Sequence, residues 1–308
     1  MPAMLLHMTV AREARAHAEA SDAAPELGEL LASCREHDDA FLFGSVLPDL
    51  PYHARFARQV VRHLLKMGYR HSEWGDVFHT RFSGRLGLAM IAHVRRALLS
   101  GRDRGRALAM TCGYLCHVAL DTAVHPSINR VVARGGGGAP DEPTDVRHGE
   151  VERLQSLLYH YLQRGEDITG TPYARTLVGA MAGAGVLRPR LDASLWGTLR
   201  SALLQTHARA PSQAELSDWL WGVTVYSQLI SSPAGRATEG LGGNIEAQLA
   251  AHLDGPDVDL ATPLSHGIER TCEHWRAAAA ALEAESWGDD TRAAFLERVP
   301  DADLDLGY

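Results

Sequence analysis

The sequence predicts an all-α protein, a single multi-helix bundle over residues 1–308 with metal ligands on facing helices. Three observations carry that expectation. Apolar residues recur three and four apart in nearly every segment, as they do where a helix buries one face. Alanine and leucine dominate while aromatics supply only 6% of the chain, a composition that favours helix. Strand-like alternation is nowhere convincing, and no repeat or long linker divides the chain. Residues 1–163 and 164–308 therefore read as two halves of one all-α domain.

Taken in order, residues 3–19 form an amphipathic helix with Met4, Leu5, Met8 and Ala11 on its apolar side and His7 beside them. ELGELLASCREH (26–37) is a second helix. DDAFLFGSVLPDLPYH follows as an apolar turn or two; a short helix breaking at Pro48 would present Asp49 from a buried corner, an unusual place for a solvated aspartate. Helix 52–67 carries Arg55, Arg58, Arg62 and Lys66 on one face, and 68–80 is irregular, with His71, Trp74, Asp76 and His79. Helix 83–100 is strongly apolar, and 101–103 turns the chain into the next one. Beyond residue 164, helices are expected at 172–184, 191–207, 212–231, near 244–253, 262–286 and 290–299, with a break at 232–243. Ser212 with Glu215 reads as a capping box. The basic stretches 55–66 and 95–106 read as solvated faces, and Trp219 and Trp221 as core.

Composition limits the function classes. A hydrophobic content of 45% supports a proper core, and a net charge of −8 argues against nucleic acid as a partner. Cys34, Cys112, Cys116 and Cys272 form no C-x-x-C pair and read as reduced, packed thiols. No run of 18 or more apolar residues exists, so at most peripheral membrane contact is expected. The opening MPAMLLHMTVAREARAHAEA lacks a basic n-region, which makes a cytoplasmic protein the expectation. Oligomeric state is not legible.

The chemistry concentrates in TCGYLCHVALDTAVHP (111–126). His117, Asp121 and His125 recur every four residues, roughly 6 Å of helical rise each, and so stand one above another on a single face. The run around them is apolar, and a buried imidazole or carboxylate without a partner is costly. A metal ion is the simplest partner. Pro126 disfavours helical backbone at His125, so the helix should end there with His125 at its mouth. Helix 144–162 repeats the motif with His148 and Glu152, four apart, and the RGGGGAP core of the 131–143 connection lets the two helices lie side by side. Nitrogen and carboxylate donors without cysteine suit Zn²⁺ or another first-row divalent ion.

The set His7, Pro48-Asp49, His79, His117-x3-Asp121-x3-His125-Pro126 and His148-x3-Glu152, with FLFGSVLPDLP leading into Asp49, resembles the zinc-dependent phospholipase C family. That family is similar in fold to the single-strand-preferring nucleases that use three zinc ions. The resemblance covers roughly residues 3–160 and implies an all-α bundle whose zinc ions cleave a phosphodiester on the headgroup side of a phospholipid. It implies that His79, His117 and Asp121 hold one zinc ion and that His125, His148 and Glu152 hold a second. Asp121 would bridge to a third ion bound also by His7, and Asp49 would sit beside the activated water as a ligand or as the catalytic base. The implied cofactor is two or three zinc ions, and the implied substrate a lipid or small-molecule phosphodiester. His53 and His71 rival His79 in the same region. Secreted members complete the third site with an N-terminal tryptophan, and no tryptophan stands near the start of this chain. The Asp121-to-His125 interval is also shorter than in those enzymes, and no C-terminal β-sandwich follows.

Two other readings stay open at this level. The same cage could serve other chemistry on a small molecule, as a biosynthetic tailoring hydrolase or lyase; the missing export signal favours that reading. A closed metal shell would instead make the chain a non-catalytic helical scaffold. The pocket walls are expected from 49–52, 74–78, the glycine loop and the C-terminal half.

Overall fold

Short local signals set the helix boundaries in the computed structural model, which describes residues 3–21, 25–56, 58, 72–134, 144–166, 168, 171, 173–182, 189–233 and 260–308. In chain order the helices among the described residues are α1 (Ala3–Ala20), α2 (Gly28–Glu36), α3 (Asp38–Val46), α4 (Glu73–Thr80), α5 (Ser83–Arg96), α6 (Gly101–Ala133), α7 (Thr144–Arg164), α8 (Ala193–His207), α9 (Gln213–Ser231), α10 (Ala261–Glu283) and α11 (Asp289–Arg298). A 3-10 turn, Leu47–His53, continues α3. Side-chain oxygens cap several of the starts. Ser72 accepts from Trp74 N–H, Ser100 from Asp103 N–H and Asp192 from Ser194 N–H, and Ser212 and Glu215 form the expected capping box.

The caps explain two departures from the sequence reading. Residues 73–80 are helical rather than irregular because Ser72 starts a helix there, and α5 stops at Arg96 because Ser100 is already committed to α6. The helix expected over 172–184 is instead a 3-10 run, Tyr173–Ala180, leading into a two-residue strand, Met181–Ala182, that pairs with Arg190–Leu191. Gly179 and Gly183 within it disfavour regular helix. Most of the helix expected at 52–67, His71, the glycine loop at 135–143, the break at 232–243 and the helix near 244–253 lie outside the described residues.

Everything else is arranged around α6. It packs against α3 on one side and α10 on another. Backbone meets backbone where α3 crosses it: a Cβ on Gly44 would overlap the Met110 carbonyl, and one on Gly113 would overlap the Phe41 carbonyl. On the other side, the indole N–H of Trp275 donates to Cys112 O (3.0 Å), His274 Nδ1–H donates to Leu115 O (3.2 Å), and Arg270 reaches Thr122 Oγ1 (2.8 Å). The four cysteines are free and buried, as expected of packed thiols.

Pro126 does not end the helix. α6 continues about two turns beyond it to Ala133. An interior proline costs about 3 kcal/mol. The extension buries Ile128 and Val132 in a second apolar cluster with Leu6, Val10, Val151, Leu260 and Leu264. Each such side chain contributes about 1.5–3 kcal/mol, so the burial offsets the proline. Gly307, at φ +81°, packs directly on the Pro126 ring. By length and composition α6 could cross a membrane, but 89% of its most apolar window is buried inside the protein, which marks it as a core helix.

The basic stretch 95–106 is only partly a solvated face: Arg96 and Arg102 are exposed, but Arg95, Arg104 and Arg106 are engaged. Arg95 donates to Ala281 O and Leu282 O (3.0 Å each) and to Ala284 O, closing the C-terminal end of α10, where carbonyls lack helical partners. Arg106 is buried against Asp39 (3.1 Å), and Arg104 pairs with Glu29 (2.9 Å). Trp219 is core, as expected; Trp221 is half-buried.

Two predictions follow from this packing. Gly113→Ala should destabilise the protein by about 1–3 kcal/mol through overpacking, whereas Gly197→Ala, with open space around its position in α8, should be neutral or stabilise by up to about 1 kcal/mol. Urea unfolding of both variants measures this, and equal effects would rule out the close α3–α6 approach. Asp38 joins α1 to α3 by accepting from Arg12 (2.7 Å) and Arg15 (2.8 Å). Partial burial works to raise its pKa, but the two guanidiniums outweigh burial and hold it below the usual carboxylate range. A depressed folded pKa gives stability that is present above the unfolded value and lost as pH falls through the folded one. Asp38→Asn should therefore be less stable than the parent near neutral pH, with the gap closing under acid conditions in urea midpoints taken down the pH series.

Candidate metal centre

Helical phase places the side chains that matter. On α6, His117 and Asp121 are buried on one face, and His117 Nε2 lies 2.9 Å from Asp121 Oδ2. That approach is too poorly aligned to be a hydrogen bond, and His117 Nε2 has no other partner. The opposite ring nitrogen is occupied: His117 Nδ1 lies 2.9 Å from Ser45 O. A carbonyl only accepts, so Nδ1 carries the hydrogen and Nε2 is the nitrogen turned towards Asp121. The α3–α6 glycine contact is what brings Ser45 within reach.

Two further helices bring imidazoles to the same carboxylate, and the 3-10 turn brings a second carboxylate to those imidazoles. From α1, His7 Nε2 comes within 3.3 Å of Asp121 Oδ1, and its ring stacks on that of His117 at 4.2 Å. From α4, His79 Nε2 lies 3.8 Å from Asp121 Oδ2 and 3.3 Å from Asp49 Oδ1, while its Nδ1–H donates to Gly75 O at 2.9 Å. Asp49 projects from the 3-10 turn held between Pro48 and Pro51, and its other oxygen is 3.9 Å from His7 Nε2. The rival His53 turns away, with Nε2 against Met4 Sδ at 3.2 Å.

A second cluster forms between α6 and α7. His125 Nε2 and His148 Nε2 lie 3.2 and 3.1 Å from Glu152 Oε1, and the two rings meet edge to face at 5.1 Å. His125 does not stand at a helix mouth, since α6 passes through it, yet it still faces α7. Three donor groups result, each with ligand atoms within 4.8 Å of one another: His79, His117 and Asp121; His125, His148 and Glu152; and His7, Asp49 and His117. The orphaned ring nitrogens His7 Nδ1, His117 Nε2 and His125 Nδ1 belong to this centre. His148 Nε2 does hydrogen-bond Glu152 Oε1, but crowded N and O donors with three orphaned ring nitrogens fit a divalent cation better than a satisfied polar network.

Electrostatics separates the groups. Burial, reinforced by His117, pushes His7 down to about 4. Burial also works to lower His79 and His125, but Asp49 outweighs it at His79, which rises to about 10. Asp121 and Glu152 outweigh it at His125, which rises to about 9. Asp49, Asp121 and Glu152 are held below the usual carboxylate range by the imidazoles around them, although burial opposes this. The centre thus gathers three carboxylates in a buried place, their charge met by protonated imidazoles at His79 and His125 that a divalent cation could replace.

The family profile described as zinc dependent phospholipase C matches residues 6–177, more than half of the chain. The chain belongs to the zinc-dependent phospholipase C family. Neither the curated proteins nor the solved structures compared with it gave a match. In this member of the family, every site residue expected from sequence lies in one of the three donor groups.

The pocket walls differ from expectation. Trp74 and Phe78 are core, Phe78 packing edge-on against Trp219. Tyr52 does approach the centre, with its ring centroid 5.3 Å from that of His79. Sequence reasoning missed Asp305 and Gln155. Asp305, its pKa raised by burial, lies within electrostatic range of His79, His125 and Asp121. The final residues carry it there: Leu304 N–H donates to His79 O (2.6 Å), and Asn129 donates to Asp305 O (2.8 Å). No local motif announces such a contact. Gln155 stands one turn beyond Glu152, and that i, i+3 spacing was a signal that could have found it.

Removal of metal should be visible in stability. Dialysis against a chelator should lower Tm and zinc should restore it, because ligand binding only to the folded chain stabilises it by mass action. Identical scanning-calorimetry traces with and without zinc would contradict the cation reading.

Proposed function

We propose that this family member is a zinc-dependent hydrolase that cleaves a phosphodiester on a lipid or small-molecule substrate, using residues 1–308 as one domain. The observation that supports it best is the convergence of His7, Asp49, His79, His117, Asp121, His125, His148 and Glu152 into three adjoining donor groups. His79, His117 and Asp121 would hold one zinc ion, and His125, His148 and Glu152 a second; Asp121 with His7 would hold a third. Bound zinc supplies the Lewis-acid charge that makes water nucleophilic near neutral pH and neutralises phosphate oxygens.

The chain's own residues do the rest. Ser45 O and Gly75 O hold the Nδ1–H of His117 and His79, fixing both rings with Nε2 inward. Asp121 and Glu152 balance the repulsion between neighbouring cations. Asp49, more exposed than Asp121 and held below the usual carboxylate range by His117, His79 and His7 against burial, would orient the attacking water and accept its proton. Tyr52 and Asp305 flank His79.

The test is turnover of a p-nitrophenyl phosphodiester panel alongside zinc analysis. Asp49→Asn should keep its zinc and lose about 10²–10⁴ in kcat. Asp121→Ala should lose more metal and more activity than any single histidine variant; full metal content in Asp121→Ala would overturn the ligand assignment. Two or more zinc ions with no turnover of any diester would transfer the reading to other small-molecule chemistry in the same cage.

A further inference from the structure

Gln155 is 3% exposed, yet neither its amide oxygen nor its amide nitrogen has a hydrogen-bond partner. A buried polar group left unsatisfied costs about 1–3 kcal/mol, and here both ends of one amide are in that state. The side chain lines a cavity of ≈ 20 Å³ whose other polar walls are His7, Asp121, His125 and Glu152. His7 brings a second orphan, its Nδ1. Its inner space fits one ion or one water. Size leaves those two occupants, and charge chooses between them. The cavity is lined by two carboxylates, Asp121 and Glu152, whose charge a cation balances and a water does not.

We propose that Gln155 is a metal-binding side chain, its amide oxygen completing a cation position with His7 and Asp121. The inference rests on the zinc reading above and adds a residue that this reading does not use. The His79–His117–Asp121 and His125–His148–Glu152 groups each bring two imidazoles and a carboxylate, whereas the third group shares its His117 with the first and keeps only His7 as an imidazole of its own. This position brings one imidazole, a shared carboxylate and a neutral amide oxygen, a harder and less basic set. Its cation is therefore the most weakly held of the three and the first to leave.

The test is zinc stoichiometry during stepwise chelation, on the full chain, with no activity readout required. The parent protein should release one equivalent at a chelator concentration that leaves the others bound. Gln155→Met, close in size, should lack that early equivalent or hold it at least about 10-fold more weakly. Gln155→Glu, which adds a charge, should hold it more tightly. The metal-free Gln155→Met protein should be at least as stable as the metal-free parent, because it removes two unsatisfied polar atoms; that measurement separates loss of a ligand from misfolding. A Gln155→Met protein matching the parent in both zinc count and tightness would overturn the proposal and assign the cavity to water. Failure of the zinc reading itself looks different: the parent would then bind no zinc at all.

Discussion

A carboxylate with 3% exposure in the middle of a helical core is the constraint on which this structure depends. Burying an unpaired charge costs several kcal/mol even after relaxation, so Asp121 cannot stand there alone. It is met by imidazoles from three helices: His7 of α1, His79 of α4 and His117 of α6 itself. Each of those helices must then hold its place against α6 to within a few tenths of an ångström. The glycine contact between α3 and α6, the Ser45 carbonyl on His117 and the arginine pair on Asp38 can all be understood as parts that maintain that placement.

Much of the centre was legible because the helical repeat is a rigid ruler. Four-residue spacing forces His117, Asp121 and His125 onto one face, and the same spacing aligns His148 with Glu152; no tertiary information is needed for either. Caps were legible too, as at Ser212. What failed to show were effects decided by distant partners. Pro126 looked like a terminus because its local preference is real; the apolar partners that override it come from α1, α7 and the start of α10. Arg95 looked solvated because nothing near it in sequence reveals the end of α10 lying against it. Asp305 is more than 150 residues beyond its nearest counterpart in the centre, beyond the reach of any periodicity.

The unequal donor sets suggest a division of labour inside one cage. With zinc bound as proposed, positions rich in imidazole and carboxylate would act as structural anchors as much as reactive ones, since losing their ions would strand buried charge. A position built from softer commitments can exchange. Proteins that place a weak site beside strong ones gain sensitivity to metal supply without risking the fold.

The hydrogen bond from Leu304 to the backbone of His79 has a practical corollary. The segment that the family profile recognises ends at residue 177, yet the far end of the chain lies one bond from the centre. Cutting the protein down to its recognisable portion would strip α10 and the final residues from α6 and lay the cage open to solvent. For expression and crystallisation, the boundary suggested by kinship is the wrong one, and an affinity handle belongs where it cannot pull on residues 304–308.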